Sequence, residues 1–546
     1  MELSHLIQCS QVENVRLYCP QKPPVTGTLC VSSHHLLLSA HPLEGTRPDK
    51  CELWLLHRAV DSVEKSVHNI AVLKNKENGQ EEESRSSSGI VTLRCKDLRV
   101  IQLEIPGMEE TLNVARSVQA LSSMDSVTLT YPFFFRPSGC KLGKGWSVDT
   151  METFYNKLKA KTHLWRLSYV NAGFKLCPSY PEKVIVPVSC SDDCLRKSAV
   201  FRQGHRFPIL CYYHRNSKAI LLRSAQPLVG PTHRRCKEDE MLLNVALADQ
   251  LCGFIIDIRS EHDARHSRSM GGGTENKDRY TKWKVLYRPL ERGRALQISL
   301  TRLVAACHDH CLGTNRWLAK LLTSHWMTHV REALSTTGLA VECIERVGTC
   351  VLVHGEEGTD NTLLVTSLSQ LILSPDCRTL AGFQDLIERE WLQAGHPFQL
   401  RCARSGWSQE RAQQESPSFL LFLDCCWQLT RQFPRAMEFN EELLCMLATH
   451  AYSSEYGTFL CNNEKERSLY KVREQTHSLW GFLNNFAVRQ NLLNPIYEKD
   501  PLVIWPSVAP QSIQLWEGFF LRYLIPAEHK QRAWQRIQAI VGEEHK

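Results

Sequence analysis

The stretch from Gly348 to Leu373 reads GTCVLVHGEEGTDNTLLVTSLSQLIL. Its opening, Cys350 to Val353, is a short apolar run of the kind that forms a buried strand. A turn containing Gly355 and Gly358 follows. It passes directly into a helical repeat that puts Leu364, Leu368, Leu371 and Ile372 on one inward face. Strand, tight loop and helix N-terminus together make an anion cradle, because backbone N–H groups and the helix dipole converge on one point.

The chain around this stretch has 546 residues and is 43% hydrophobic, enough for two or more folded domains. Its net charge of +7, from 65 basic and 58 acidic residues, is mild and lacks the Lys/Arg stripe of a nucleic-acid-binding surface. The 22 cysteines are scattered, often beside apolar residues, and show no paired CxxC spacing. They read as reduced thiols, and neither a metal site nor a cofactor is expected. Met1 to Gln8 lacks a secretory pattern. The longest apolar run, Phe419 to Leu429, is interrupted by Asp424 and is shorter than the ~20 residues of a spanning helix. A cytoplasmic protein is expected.

From Val15 to about Ile105, short β-branched and leucine-rich runs alternate with turns: Gly27 to Val31, Leu36 to Ala40, Glu52 to His57, Ile90 to Arg94 and Arg99 to Ile105. Met108, Leu112, Ala115, Val118 and Leu121 then recur at helical spacing. Several strands closed by one helix outline a β-rich, pleckstrin-homology-like barrel over residues 1–122. Asn75 to Ser88 reads as a polar loop within it. Arg94, Lys96 and Arg99 cluster around a hairpin turn and read either as solvated charge or as a contact for an anionic headgroup. Beyond Tyr131-Pro132 the pattern is mixed. Strands are expected at Val184 to Val188 and Phe254 to Ile258, with helices at Lys237 to Leu251 and Ser299 to His308. This predicts an α/β domain over 125–518, then a short helix over 526–546 with Trp534, Ile537, Ile540 and Val541 on one face.

Cysteine phosphatases place a Cys at the first position of such a loop, five residues, then an Arg; the thiolate attacks phosphorus and the guanidinium grips two phosphate oxygens. Within that class VHGEEGTDNT resembles the myotubularin-family signature Val-His-Cys-Ser-Asp-Gly-Trp-Asp-Arg-Thr, sharing Val353, His354, Gly358, Asp360 and Thr362. Arg378-Thr379, Gly382-Phe383, Leu386 to Trp391, Gly395 to Phe398, Arg401 and Trp505-Pro506-Ser507 are similar to family segments. So are Trp165 to Leu167 with Asn171, Val186-Pro187, Phe201-Arg202 and Arg206 to Pro208. The resemblance spans nearly the whole chain and implies an N-terminal PH-GRAM domain before a phosphatase-like domain. Active members of the family remove the 3-phosphate of phosphoinositides.

By that resemblance Gly355 stands at the nucleophile and Asn361 at the phosphate-binding arginine, so no catalytic residue is expected. His354, Gly355, Glu356, Glu357, Gly358, Thr359, Asp360, Asn361 and Thr362 form a vestigial phosphate loop. One of the two glutamates is expected to fold back onto the helix N-terminus and fill the cradle. His354 reads as a strand-end packing residue. Gly271 to Gly273 reads as a surface loop beside the cleft. Where the family has Asp-Ala-Arg-Pro, Asp257 and Arg259 remain while Ile258 and Ser260 differ. Three other Cys-x5-Arg spacings, at Cys190, Cys425 and Cys461, lack the loop chemistry. The resemblance implies an inactive regulator that pairs with active myotubularins, or with another copy of itself, at endomembranes. The alternative is a phosphoinositide-binding adaptor acting through the β domain alone.

Overall fold

The computed structural model describes residues 3–19, 23–40, 51–68, 88–137, 145–146, 150–309, 313–407 and 414–524. Asn75 to Ser87 and the 526–546 helix lie outside them. Seven strands come first: β1 (Gln11–Tyr18), β2 (Val25–Val31), β3 (His35–Ala40), β4 (Cys51–Leu56), β5 (Val60–His68), β6 (Ser88–Cys95) and β7 (Val100–Pro106). They form one antiparallel sheet in the order β4-β3-β2-β1-β7-β6-β5. Ile101, Leu103 and Ile105 alternate with more exposed residues along β7, so one sheet face is apolar. Helix α1 (Met108–Ser122) covers that face with Val114, Ala115, Val118 and Leu121. The runs read from the sequence include neither β1 nor β5. In both, charged residues interleave with the inward positions and weaken the apolar signal.

Next come α2 (Thr150–Lys159), β8 (Trp165–Ser168), β9 (Val184–Pro187), α3 (Asp192–Phe201), β10 (Ile209–Tyr213), β11 (Ile220–Ala225) and α4 (Lys237–Ala246). Then follow β12 (Gly253–Asp257), α5 (Glu261–Ser269), β13 (Trp283–Tyr287), α6 (Gly293–Cys307), α7 (Thr314–Ser324), α8 (Trp326–Glu342), β14 (Cys350–Gly355) and α9 (Asn361–Leu373). The second sheet has the order β10-β11-β14-β12-β13, parallel except for the edge strand β10. Its central strand, β14, feeds two cores at once. Val351 and Val353 face the large core built on α6, α8 and α9, while Cys350 and Leu352 face the smaller core under α2 and α4.

Every residue of α9 is buried, which corrects the expectation of an amphipathic helix. The helix lies between β11 and β14 on one side and α8 and α12 (Ser418–Gln432) on the other, with α10 (Leu380–Ile387), α11 (Phe398–Arg401) and α13 (Glu441–Tyr452) completing the shell. Three of its hydroxyls are satisfied along the helix itself: Thr366 Oγ1 donates to Leu363 O at 3.3 Å, Ser367 Oγ to Leu363 O at 2.6 Å and Ser369 Oγ to Val365 O at 2.7 Å. Among the described residues no helix is long and apolar enough to cross a membrane.

The β domain is joined to the α/β domain by specific contacts. Asp61 Oδ2 accepts from Ser405 N (3.1 Å) and Ser405 Oγ (2.8 Å), and Trp407 Nε1 donates to Cys95 O at 2.8 Å. Arg522 Nη2 donates to Asp97 O at 2.6 Å.

Candidate functional site: the loop between β14 and α9

Loop residues Glu356 to Asp360 sit at the C-terminal end of the central parallel strand, where the backbone opens toward solvent. Gly358 adopts φ +71°, and a Cβ there would lie 2.5 Å from Ser224 O, so only glycine lets the loop pack against β11. Arg206 Nη2 donates to Gly358 O at 2.8 Å and Gln226 N to Glu356 O at 3.2 Å, fixing the loop to the end of β11.

Asp360, also left-handed at φ 52°, is buried at the start of α9. Arg401 grips it through Nε (3.1 Å) and Nη2 (2.8 Å), and His396 Nδ1 lies 3.1 Å from Oδ1. Burial alone would raise this carboxyl; His396 and Arg401 outweigh it and hold Asp360 well below the usual carboxylate range. Burial pushes His396 below its ordinary value, against the upward pull of Asp360.

His354 is fully buried, with Nε2 3.0 Å from Glu275 Oε2. Glu275 in turn accepts from Arg202 Nη1 at 2.7 Å, and Arg202 forms a bidentate pair with Asp239. Burial disfavours the Glu275 anion, yet His354 and Arg202 hold it ionised. His354 is thus tied into a buried charge network. Nothing in the sequence pattern singled out Glu275, which follows the triglycine as an isolated acid.

At position 355 there is no side chain, and the space is taken. A Cβ on Gly355 would sit 2.9 Å from Ile258 Cγ1 and 3.0 Å from Ile258 Cδ1. Asn361 Nδ2 donates to Glu291 O (2.9 Å) and Leu290 O (3.3 Å), which clips the loop to the segment after β13. Arg259 is turned back onto Asp257, at 2.9 Å through Nε and 2.7 Å through Nη2, and donates to Gly273 O. Gly273 N donates to Gln226 Oε1, so Gly271 to Gly273 brace Arg259.

The two glutamates do not fold back onto α9. Glu356 pairs with Arg292 across the cleft mouth, and Glu357 lies 3.4 Å from Arg401 Nη2. The arginines already facing the loop outcompete the helix N-terminus for these carboxylates. The resulting cleft, about 300 Å³, is lined by Glu291, Glu332, Asp263 and the loop acids. A helix dipole favours an anion by about 0.3–1 kcal/mol. Like unit charges 4 Å apart near a protein surface repel by about 4 kcal/mol. A phosphate dianion is therefore disfavoured here.

The other positions singled out from the sequence lie elsewhere. Arg94 pairs with Glu64 at 3.1 Å and stacks over Trp407; Arg99 pairs with Asp97 at 2.7 Å and stacks over Tyr523. Lys96 is 4% exposed at the domain junction, out of reach of a headgroup. Burial thus removes Lys96 from the headgroup contact expected from the sequence, whereas Arg94 and Arg99 keep about a third of their side chains exposed beside the domain junction. Cys425 lies inside α12, Cys461 is buried with its thiol pushed up to about 12, and Cys190 is buried ahead of α3. A larger cavity of about 460 Å³ opens at the far end of α9, beside Gln370 and Ser374, away from the loop.

A sheet of this topology with a strand–loop–helix anion cradle at its central strand defines a cysteine-phosphatase-type α/β domain. Residues 130–468 match the family model of the myotubularin-like phosphatase domain, and the chain belongs to the myotubularin family. It is 52% identical to myotubularin-related protein 9-like from Bos taurus, over 100% of this chain and 97% of that protein. It is 48% identical to myotubularin-related protein 9 from Homo sapiens, over 99% and 94% of the two chains. With the human phosphatidylinositol-3-phosphate phosphatase MTMR7 it shares 30% identity, covering 98% of this chain and 79% of that one.

Proposed function

We propose that this chain is a pseudophosphatase: it binds active myotubularin phosphatases and regulates their dephosphorylation of phosphatidylinositol 3-phosphate and 3,5-bisphosphate. In this reading residues 1–122 are a PH-GRAM-like domain and 125–518 an inactive phosphatase-like domain, acting in the cytoplasm at endomembranes. The observation that carries it is the pair Gly355 and Ile258: the loop has no thiol, and a methyl group at 355 would already touch Ile258. Asn361 replaces a cationic fork with a neutral amide bonded to Leu290 O and Glu291 O. Phosphate monoesters need accelerations of up to about 10²¹, and among the described residues the cleft lining contains no cysteine to replace the missing thiol.

The test is co-purification of this chain with each active myotubularin, followed by 3-phosphoinositide turnover by the complex. A stable complex with altered turnover is expected. If no active relative associates while liposome binding depends wholly on residues 1–122, the adaptor reading replaces this one.

A further inference from the structure

Where the two domains meet, a groove of about 420 Å³ runs between Tyr18, Leu98 and Val100 of the β domain and Trp407, Tyr523 and Leu524 of the α/β domain. All of these but Leu98 are only half-buried. Val100 and Leu524 join none of the hydrophobic cores formed by the described residues. A concave surface with this many half-covered aromatic and aliphatic side chains gains by taking up apolar side chains from another segment.

The point at which the chain leaves this groove is fixed. Tyr523 Oη donates to Asp97 Oδ2 at 3.1 Å, and the Arg522 guanidinium, bonded to Asp97 O, lies 4.9 Å from the centre of the Tyr523 ring. Leu524, the last described residue, is itself part of the wall. Residues 525–546 therefore start at the groove, and Pro526 stops a helix from running on unbroken from the preceding turn. In sequence they carry Trp534, Ile537 and Val541 at i, i+3 and i+7, with Ile540 beside them. That stripe is under three heptads, short for a coiled coil, but it has the anchor spacing by which a helix enters an apolar groove.

We propose that residues 525–546 fold back in cis and seat Trp534 and Ile537 in this groove, bridging the β domain and the α/β domain. The tether selects this occupant. A segment joined to the wall meets the groove at an effective concentration on the order of millimolar, above that of a second chain in solution. The volume suits one tryptophan and one isoleucine side chain and excludes a folded domain. While docked, the stripe is withheld from partners, so pairing through this segment requires its release. The proposal is independent of the loop between β14 and α9.

Cys19 also lines the groove, half-buried, and reports its occupancy. The experiment is alkylation of the full chain with iodoacetamide, with the labelling rate at each cysteine read by peptide mass spectrometry. Trp534→Ala combined with Ile537→Ala should speed labelling of Cys19 at least about fivefold, because the thiol then no longer waits for the segment to open. Val100→Ser, on the opposite side of the contact, should act alike. Cys9, half-buried and not part of the groove, should label at one rate throughout, and Cys95, in the β-domain core, should stay unlabelled. A Cys19 rate that is the same in the parent and in both variants overturns the proposal. So does protection of Cys19 that disappears on dilution, which would assign the groove to the same segment of a second copy.

Discussion

Ile258 occupies the volume that a side chain on residue 355 would need, so on the proposed pseudophosphatase reading installing chemistry is a three-residue problem. Gly355→Cys with Asn361→Arg forces Ile258 aside, and overpacking of this kind costs about 1–3 kcal/mol. Thermal denaturation should show the double variant less stable than the parent and without 3-phosphatase activity. Adding Ile258→Ala should recover most of the lost stability; a double variant as stable as the parent would show that the site is open. Asp360 gives a second test. Its carboxyl is held below its unfolded value, so its contribution is complete above about pH 4, the ordinary carboxylate range, and is lost as acid protonates the folded form. Asp360→Asn should therefore lower stability at pH 7, with a difference from the parent that shrinks in acid denaturation below pH 4. Of the family signature, the residues present here are those with structural work: Val353 in the core, His354 on Glu275, Gly358 against β11, Asp360 on Arg401, and Thr362 buried in α9.

At the scale of elements, the junction between the β6–β7 hairpin and residues 404–407 carries a buried lysine. Burial, with Arg58 nearby, lowers Lys96 to about 7. Below pH 7 the lysine is charged in both folded and unfolded chains, and the fold bears the full cost of burying it. Between pH 7 and about 10.5 only the unfolded chain holds the proton, so stability rises with pH in that window. Lys96→Met should stabilise by a few kcal/mol at pH 6 and by progressively less toward pH 10, as read from denaturant midpoints. A variant with no stabilisation at pH 6 would mean that the amine is not desolvated. The strand–loop–helix at 350–373 and the β-rich first domain were legible because their apolar residues repeat at the spacing of one element. Lys96 was not, since a lysine at a hairpin turn reads as solvated until a second domain covers it. Glu275, Glu291 and Glu332 were hidden for a similar reason: each is an isolated acid in sequence, and only the fold assembles them beside the loop.

For the molecule as a whole, Asp61 is the acid that latches one domain to the other. Asp61→Ala leaves Ser405 N and Oγ without their acceptor, at a cost of about 1–3 kcal/mol concentrated at the junction. Limited proteolysis should cut the variant between the domains faster than the parent, while the β domain's own sheet persists. Equal cleavage rates would show that Trp407 and Arg522 suffice to hold the contact. The all-buried α9 also has a consequence in time. A chain still on the ribosome presents this apolar helix before its cover exists, because α12 is completed roughly sixty residues after α9 ends. At typical synthesis rates of ~5–20 residues per second, that interval lasts about 3–12 s. For those seconds the nascent chain exposes an apolar segment without its cover, so yield in cells should depend on chaperone supply during translation more than on the stability of the finished protein.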